Sequence, residues 1–66
     1  MDLRLLRRIE NYLKRSGVRP TRFGREVAQD PRLVFDLRRG RVLRPRSEAK
    51  VIAWLERAEQ ALEPRQ

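Results

Sequence analysis

The chemistry this chain offers is cationic. Its 66 residues carry 17 Lys and Arg against 9 Asp and Glu, a formal charge of +8, and fifteen of the seventeen bases are Arg. A guanidinium presents a planar fork of donors that matches a phosphate or the O6/N7 edge of a guanine better than an ammonium does. A GC-rich genome also biases any protein towards Arg and accounts for a share of the excess over Lys. Arg38, Arg39, Arg41 and Arg44 cluster within one short stretch, and between Lys14 and Lys50 the only acids are Glu26, Asp30, Asp36 and Glu48. Positive potential is therefore concentrated in the middle of the chain, while Val51 to Gln66 is near neutral. Arg32 and Asp36 are four residues apart, which puts both on one face of a helix. There Asp36 orients Arg32, pairs with it, or accepts from a cytosine amino group. Catalysis is not on offer. His and Cys are absent, there is no glycine-rich phosphate loop, and the carboxylates are scattered. The same absences remove a disulfide framework and the common zinc spacings, so no cofactor and no metal is expected.

Four helices must position these groups. The spacing predicts a first helix over about 2–16, with Leu3, Leu6, Ile9 and Leu13 as its buried stripe and Leu5 and Tyr12 beside it. Arg4, Arg7, Arg8, Lys14 and Arg15 take the other side. Asp2 favours its start, and Gly17 suits a left-handed stop, with Val18 tucking beneath. A second helix over 21–28 has Thr21 as its N-cap, Phe23 and Val27 on one face, and Arg22 and Arg25 outward. Gln29-Asp30-Pro31 forms a corner, in which Asp30 caps a third helix and Pro31 is its first residue. That helix covers 31–39, with Val34 and Leu37 inward and Gly40 as its stop. Phe35 is out of phase with Val34 and Leu37. It either meets a thymine methyl or is partly buried or turned to a partner protein. Gly24 and Ala28 fall where the two short helices press together. Leu43 anchors a basic loop. Pro45 ends that loop, Ser47 caps a last helix over 47–63, and Pro64 closes it. Val51, Leu55, Ala58 and Leu62 share that helix's inner face, with Ile52 and Trp54 to either side. The expectation is one all-α domain over residues 1–66, with no repeat or linker and only marginal stability for its size.

The run Phe23-Gly24, Val27-Ala28 and Asp30, followed by Val34, Leu37, Gly40 and Arg41, resembles the DNA-binding domains of the Cro and lambda-repressor (Xre-like) family. That family has the order apolar, small, two polars, apolar, small, then a polar cap, which Phe23, Gly24, Val27, Ala28 and Asp30 match without a gap, and the resemblance covers roughly residues 20–55. Two positions depart from it. Gly24 stands where the family usually has Ala, and Ala28 stands at the usual turn glycine, so Ala28 must be near helical. The resemblance implies a compact four-helix lambda-repressor-like fold with a central helix-turn-helix. It implies that the first, second and sixth residues of the third helix face base edges in the major groove, here Pro31, Arg32 and Asp36, with Phe35 near them. Arg32 is the strongest specificity candidate, and Pro31, lacking a donor, contributes shape. Phosphate contacts are expected from Arg22, Arg25, Arg38, Arg39, Arg41 and Arg44. The family reads DNA as dimers, which points to a homodimer interface at Trp54, Ala58, Ala61 and Leu62. Trp54 serves equally well as a roof to the core.

The function expected is a sequence-specific double-stranded DNA-binding transcription regulator of bacterial or phage type, cytoplasmic and nucleoid-associated. Two alternatives stay open. One is a nucleoid, architectural or excisionase-like DNA-binding accessory protein. The other is a module that binds RNA polymerase or another regulator, favoured if Phe35 joins Leu5 or Trp54 in an exposed apolar patch. Apolar runs are short, so no membrane partner is expected.

Overall fold

The computed structural model describes residues 3–62 and holds four helices: α1 (Leu3–Ser16), α2 (Pro20–Ala28), α3 (Leu33–Arg38) and α4 (Pro45–Leu62). The expected roles of Asp2 and Pro64 lie outside the described residues. Helix α2 packs most extensively on α3, and α4 closes the core over α1 and α2.

Helix α1 buries Leu5, Ile9, Tyr12 and Leu13. Leu3 is 56% exposed and Leu6 only partly buried, so the expected Leu3-Leu6 stripe is corrected to one through Leu5. Tyr12 is the reason. Its ring sits 5.9 Å from Phe23 and 5.7 Å from Trp54, and Phe23 and Trp54 are themselves 5.2 Å apart, edge to face. Packing a large ring into that trio outweighs a leucine and fixes the helix's rotation. Gly17 ends α1 at φ +75°, its N–H donating to the Leu13 carbonyl at 2.9 Å. Val18 packs against the core as expected.

Helix α2 begins one residue earlier than expected. Arg19, with extended backbone and no side-chain cap, precedes Pro20 in the first position, so Thr21 is not the N-cap. Proline suits that position because the N–H it lacks would have no partner there. Helix α2 ends at Ala28, which is helical. The left-handed residue is Gln29 (φ 54°), whose N–H reaches the Arg25 carbonyl at 3.0 Å, while the Asp30 N–H reaches the Gly24 carbonyl at 3.0 Å. The helix's last carbonyls thus find donors within the corner.

Helix α3 is shorter than expected. Pro31 and Arg32 form a turn, and the helix starts at Leu33. The Asp30 carboxylate does accept an N–H, that of Arg32 at 3.0 Å, and its carbonyl accepts the Leu33 N–H at 3.1 Å. Asp30 therefore closes a turn ahead of the helix instead of capping it, a role that short acidic side chains fill through their own backbone two residues on. Leu33, Val34 and Leu37 are buried. Gly40 follows at φ +105°, and Leu43 is buried beneath the loop as expected. Helix α4 begins at Pro45, its first turn closed by Glu48 N–H to the Arg44 carbonyl at 2.8 Å. Ser47 lies inside that turn and is not the cap. Val51 and Leu55 are buried, and Ile52, Trp54, Ala58 and Leu62 pack beside them. Among the described residues the core holds no polar or charged side chain.

Candidate nucleic-acid interface

The outward face of α3 is set by what the helix buries. With Leu33, Val34 and Leu37 inward, Arg32, Phe35 and Arg39 fall at spacings of three and four along the opposite side, and all three are exposed. Neither Arg32 nor Arg39 has an ion pair among the described residues. Phe35 is 42% exposed, and the Arg38 guanidinium lies 5.6 Å from its ring centroid. Pro31 is exposed at the start of the line.

Asp36 sits on the flank of α3. It pairs with Arg41, whose Nη1 donates to Asp36 at 3.2 Å and to Asp30 at 2.9 Å. The expected pair between Arg32 and Asp36 does not form. The physical reason is Gly40: its positive φ folds Arg41 back towards the corner, and the Arg41 N–H donates to the Asp36 carbonyl at 2.9 Å. Arg41 thereby ties the corner ahead of α3 to the helix itself. Its hydrogen bond, with the Arg32 N–H second, holds the Asp30 carboxyl below the usual carboxylate range.

Three of the six residues expected on phosphates are engaged within the protein. Arg22 pairs with Glu26 at 2.6 Å, Arg38 grips Glu10 through Nε and Nη2 at 2.7 and 2.8 Å, and Arg41 forks as described. Arg25, Arg39 and Arg44 are exposed and have no ion pair among the described residues. The Arg38 grip fastens the end of α3 to α1 and holds the Glu10 carboxyl low. A second long-range pair, Arg8 with Glu59 at 2.7 Å, fastens α1 to α4. The sequence offers no partner for Glu10, Glu59 or Arg8, because residues 28 and 51 apart leave no local spacing to read.

The residues expected at a dimer interface mostly face their own core. Trp54 packs on Tyr12 and Phe23, Ala58 and Leu62 lie against the cluster, and Ala61 is exposed. No helix among the described residues is long and apolar enough to cross a membrane.

No family model matches the chain, and no curated protein or solved structure matches it. What the geometry offers stands by itself: a short, outward helix with two unpaired guanidinium groups and an aromatic ring between them. Flanking cations are partly neutralised by carboxylates.

Proposed function

We propose that the protein is a sequence-specific double-stranded DNA-binding regulator that inserts α3 and its preceding corner into the major groove. The observation that carries this reading is the outward line Arg32, Phe35 and Arg39 on a helix braced from behind, in a chain of charge +8. A helix is about 10–12 Å across with its side chains, and the major groove is about 12 Å wide. The resemblance to the lambda-repressor-like motif points the same way. In this reading Arg32 forks onto a guanine edge, Phe35 meets a thymine methyl, and Pro31 shapes the approach. Asp36 positions Arg41 and does not orient Arg32. Arg25, Arg39 and Arg44 meet phosphates directly, whereas Arg22, Arg38 and Arg41 exchange a carboxylate for a phosphate. A second copy beside the first would add the base pairs one short helix cannot read. The rim of Trp54 and exposed Ala61 are the surface for it, and sedimentation at micromolar concentration checks it.

The protein-partner alternative loses its patch, since Leu5 is buried and Trp54 is seated on the core. The test is selection of binding sites from random duplex DNA, followed by affinities for selected and scrambled duplexes at physiological salt. Arg32→Ala is expected to remove about 1–3 kcal/mol of preference at one base pair. Equal affinity for selected and scrambled DNA would hand the role to an architectural protein. No binding to any duplex would end both readings.

A further inference from the structure

We infer that α1 carries a second phosphate-binding strip, Arg7, Asn11 and Lys14, which grips the DNA backbone bordering the groove that α3 enters. The inference rests on the proposed DNA-binding reading and extends its footprint to a helix outside the helix–corner–helix unit. Its anchor is the Arg38–Glu10 pair, which sets Glu10 beside the end of α3. Arg7 lies three residues before Glu10 and Lys14 four after it, so both share the Glu10 side of α1. Asn11 lies between them, and Arg7, Glu10, Asn11 and Lys14 line one shallow surface depression.

Charge decides the partner. Glu10 is the only acid in α1, and against Arg7 and Lys14 it leaves the strip net positive whether Arg38 stays on it or moves to a phosphate. Arg7 and Lys14 are exposed and have no ion pair among the described residues. Seven helical residues separate them by about 10 Å along the axis, and an Asn amide between two cations is a common donor to the sugar-phosphate chain. A membrane surface does not fit this strip. The apolar stripe of α1 is spent on the core, and exposed Leu3 alone is too little to enter a lipid interface. Helices α2 and α1 both pack on α3, so Arg25 and this strip stand on the two elements that neighbour the inserted helix.

The experiment is fluorescence anisotropy of a labelled duplex that extends a full turn beyond the selected site, titrated over a range of salt. Arg7→Gln with Lys14→Gln keeps good helix formers at exposed positions, and circular dichroism confirms that the double variant is folded. The expected result is weaker binding and a salt slope shallower by about 1.8, at about 0.9 for each phosphate that is no longer neutralised. The control is Lys50→Gln with Arg57→Gln, two exposed cations on α4, which removes equal charge and is expected to change the slope far less. Wild-type slope in the α1 variant, with Arg39→Ala still weakening binding, overturns the strip and leaves the DNA-binding reading intact. An equal drop in the α4 control reduces the effect to diffuse charge and also overturns the strip. Failure of the wild-type chain to bind any duplex removes the reading and the strip together.

Discussion

A methyl group at position 24 would run into the carbonyl oxygen of Asp30 and press on Leu33 Cβ at 3.1 Å. A backbone carbonyl cannot rotate away as a side chain can. Gly→Ala within a helix ordinarily gains roughly 0.5–1 kcal/mol, but overpacking a tight contact costs about 1–3 kcal/mol. The clash wins. Gly24→Ala is expected to lower stability by about 1–2 kcal/mol net, which a thermal melt would show as a fall of several degrees or more. An unchanged or raised Tm would mean that the corner moves aside freely. The need for a small residue at 24 is legible in the sequence, since two apolar faces converge there. The left-handed residue is not, because a glutamine carries no bias towards positive φ. Asp30 and Pro31 mark the corner in the sequence but not the helix start, because an Asp-Pro pair opens a turn as readily as a helix.

A helix of six residues does not hold itself together in water. Helix α3 persists because three of its side chains are buried and because Arg38 and Arg41 tie it at the end and across the corner. The Arg38 tie makes a directional prediction. Exposed pairs contribute about 0–1 kcal/mol, so Glu10→Gln should barely change the melt. It should nonetheless raise affinity for any duplex and steepen the salt slope by about 0.9, since Arg38 then gains a phosphate without surrendering a carboxylate. Anisotropy against a scrambled duplex measures this, and a weakened or unchanged affinity would mean that Glu10 aims Arg38 and does not compete for it. The helices themselves are legible from periodicity, although the rotation of α1 is not. Leu3, Leu5, Leu6, Ile9, Tyr12 and Leu13 support two stripes a residue or two apart, and only the meeting of Tyr12 with Phe23 and Trp54 chooses between them. The ties from Glu10 and Glu59 are invisible for a related reason, because tertiary proximity creates them and no spacing announces it.

Across the whole molecule, charge and core are cleanly separated. Among the described residues no charged side chain is buried, and the five ion pairs from Arg8, Arg22, Arg38 and Arg41 lie at or near the surface. Acid should weaken the fold in a defined window. Glu10, Asp30 and Glu59 are held low by hydrogen bonds from Arg38, Arg41 and Arg8 respectively. Each therefore takes up a proton less readily folded than unfolded, so protons favour the unfolded chain. Their contribution is complete above the ordinary carboxylate range and disappears as pH falls through it towards the depressed native values. Urea midpoints should drop between neutral pH and about pH 3 with an unchanged m-value, by an amount in keeping with three exposed pairs at about 0–1 kcal/mol each. A midpoint independent of pH would show that the pairs add nothing to stability. The interior responds to ionic conditions in the opposite sense. Salt screens exposed charges, whereas sulfate, excluded from protein surfaces, reinforces the burial of apolar groups. On the proposed DNA-binding reading, strong ammonium sulfate is therefore both the eluent that washes nucleic acid from a preparation and the preservative that keeps the protein in native shape.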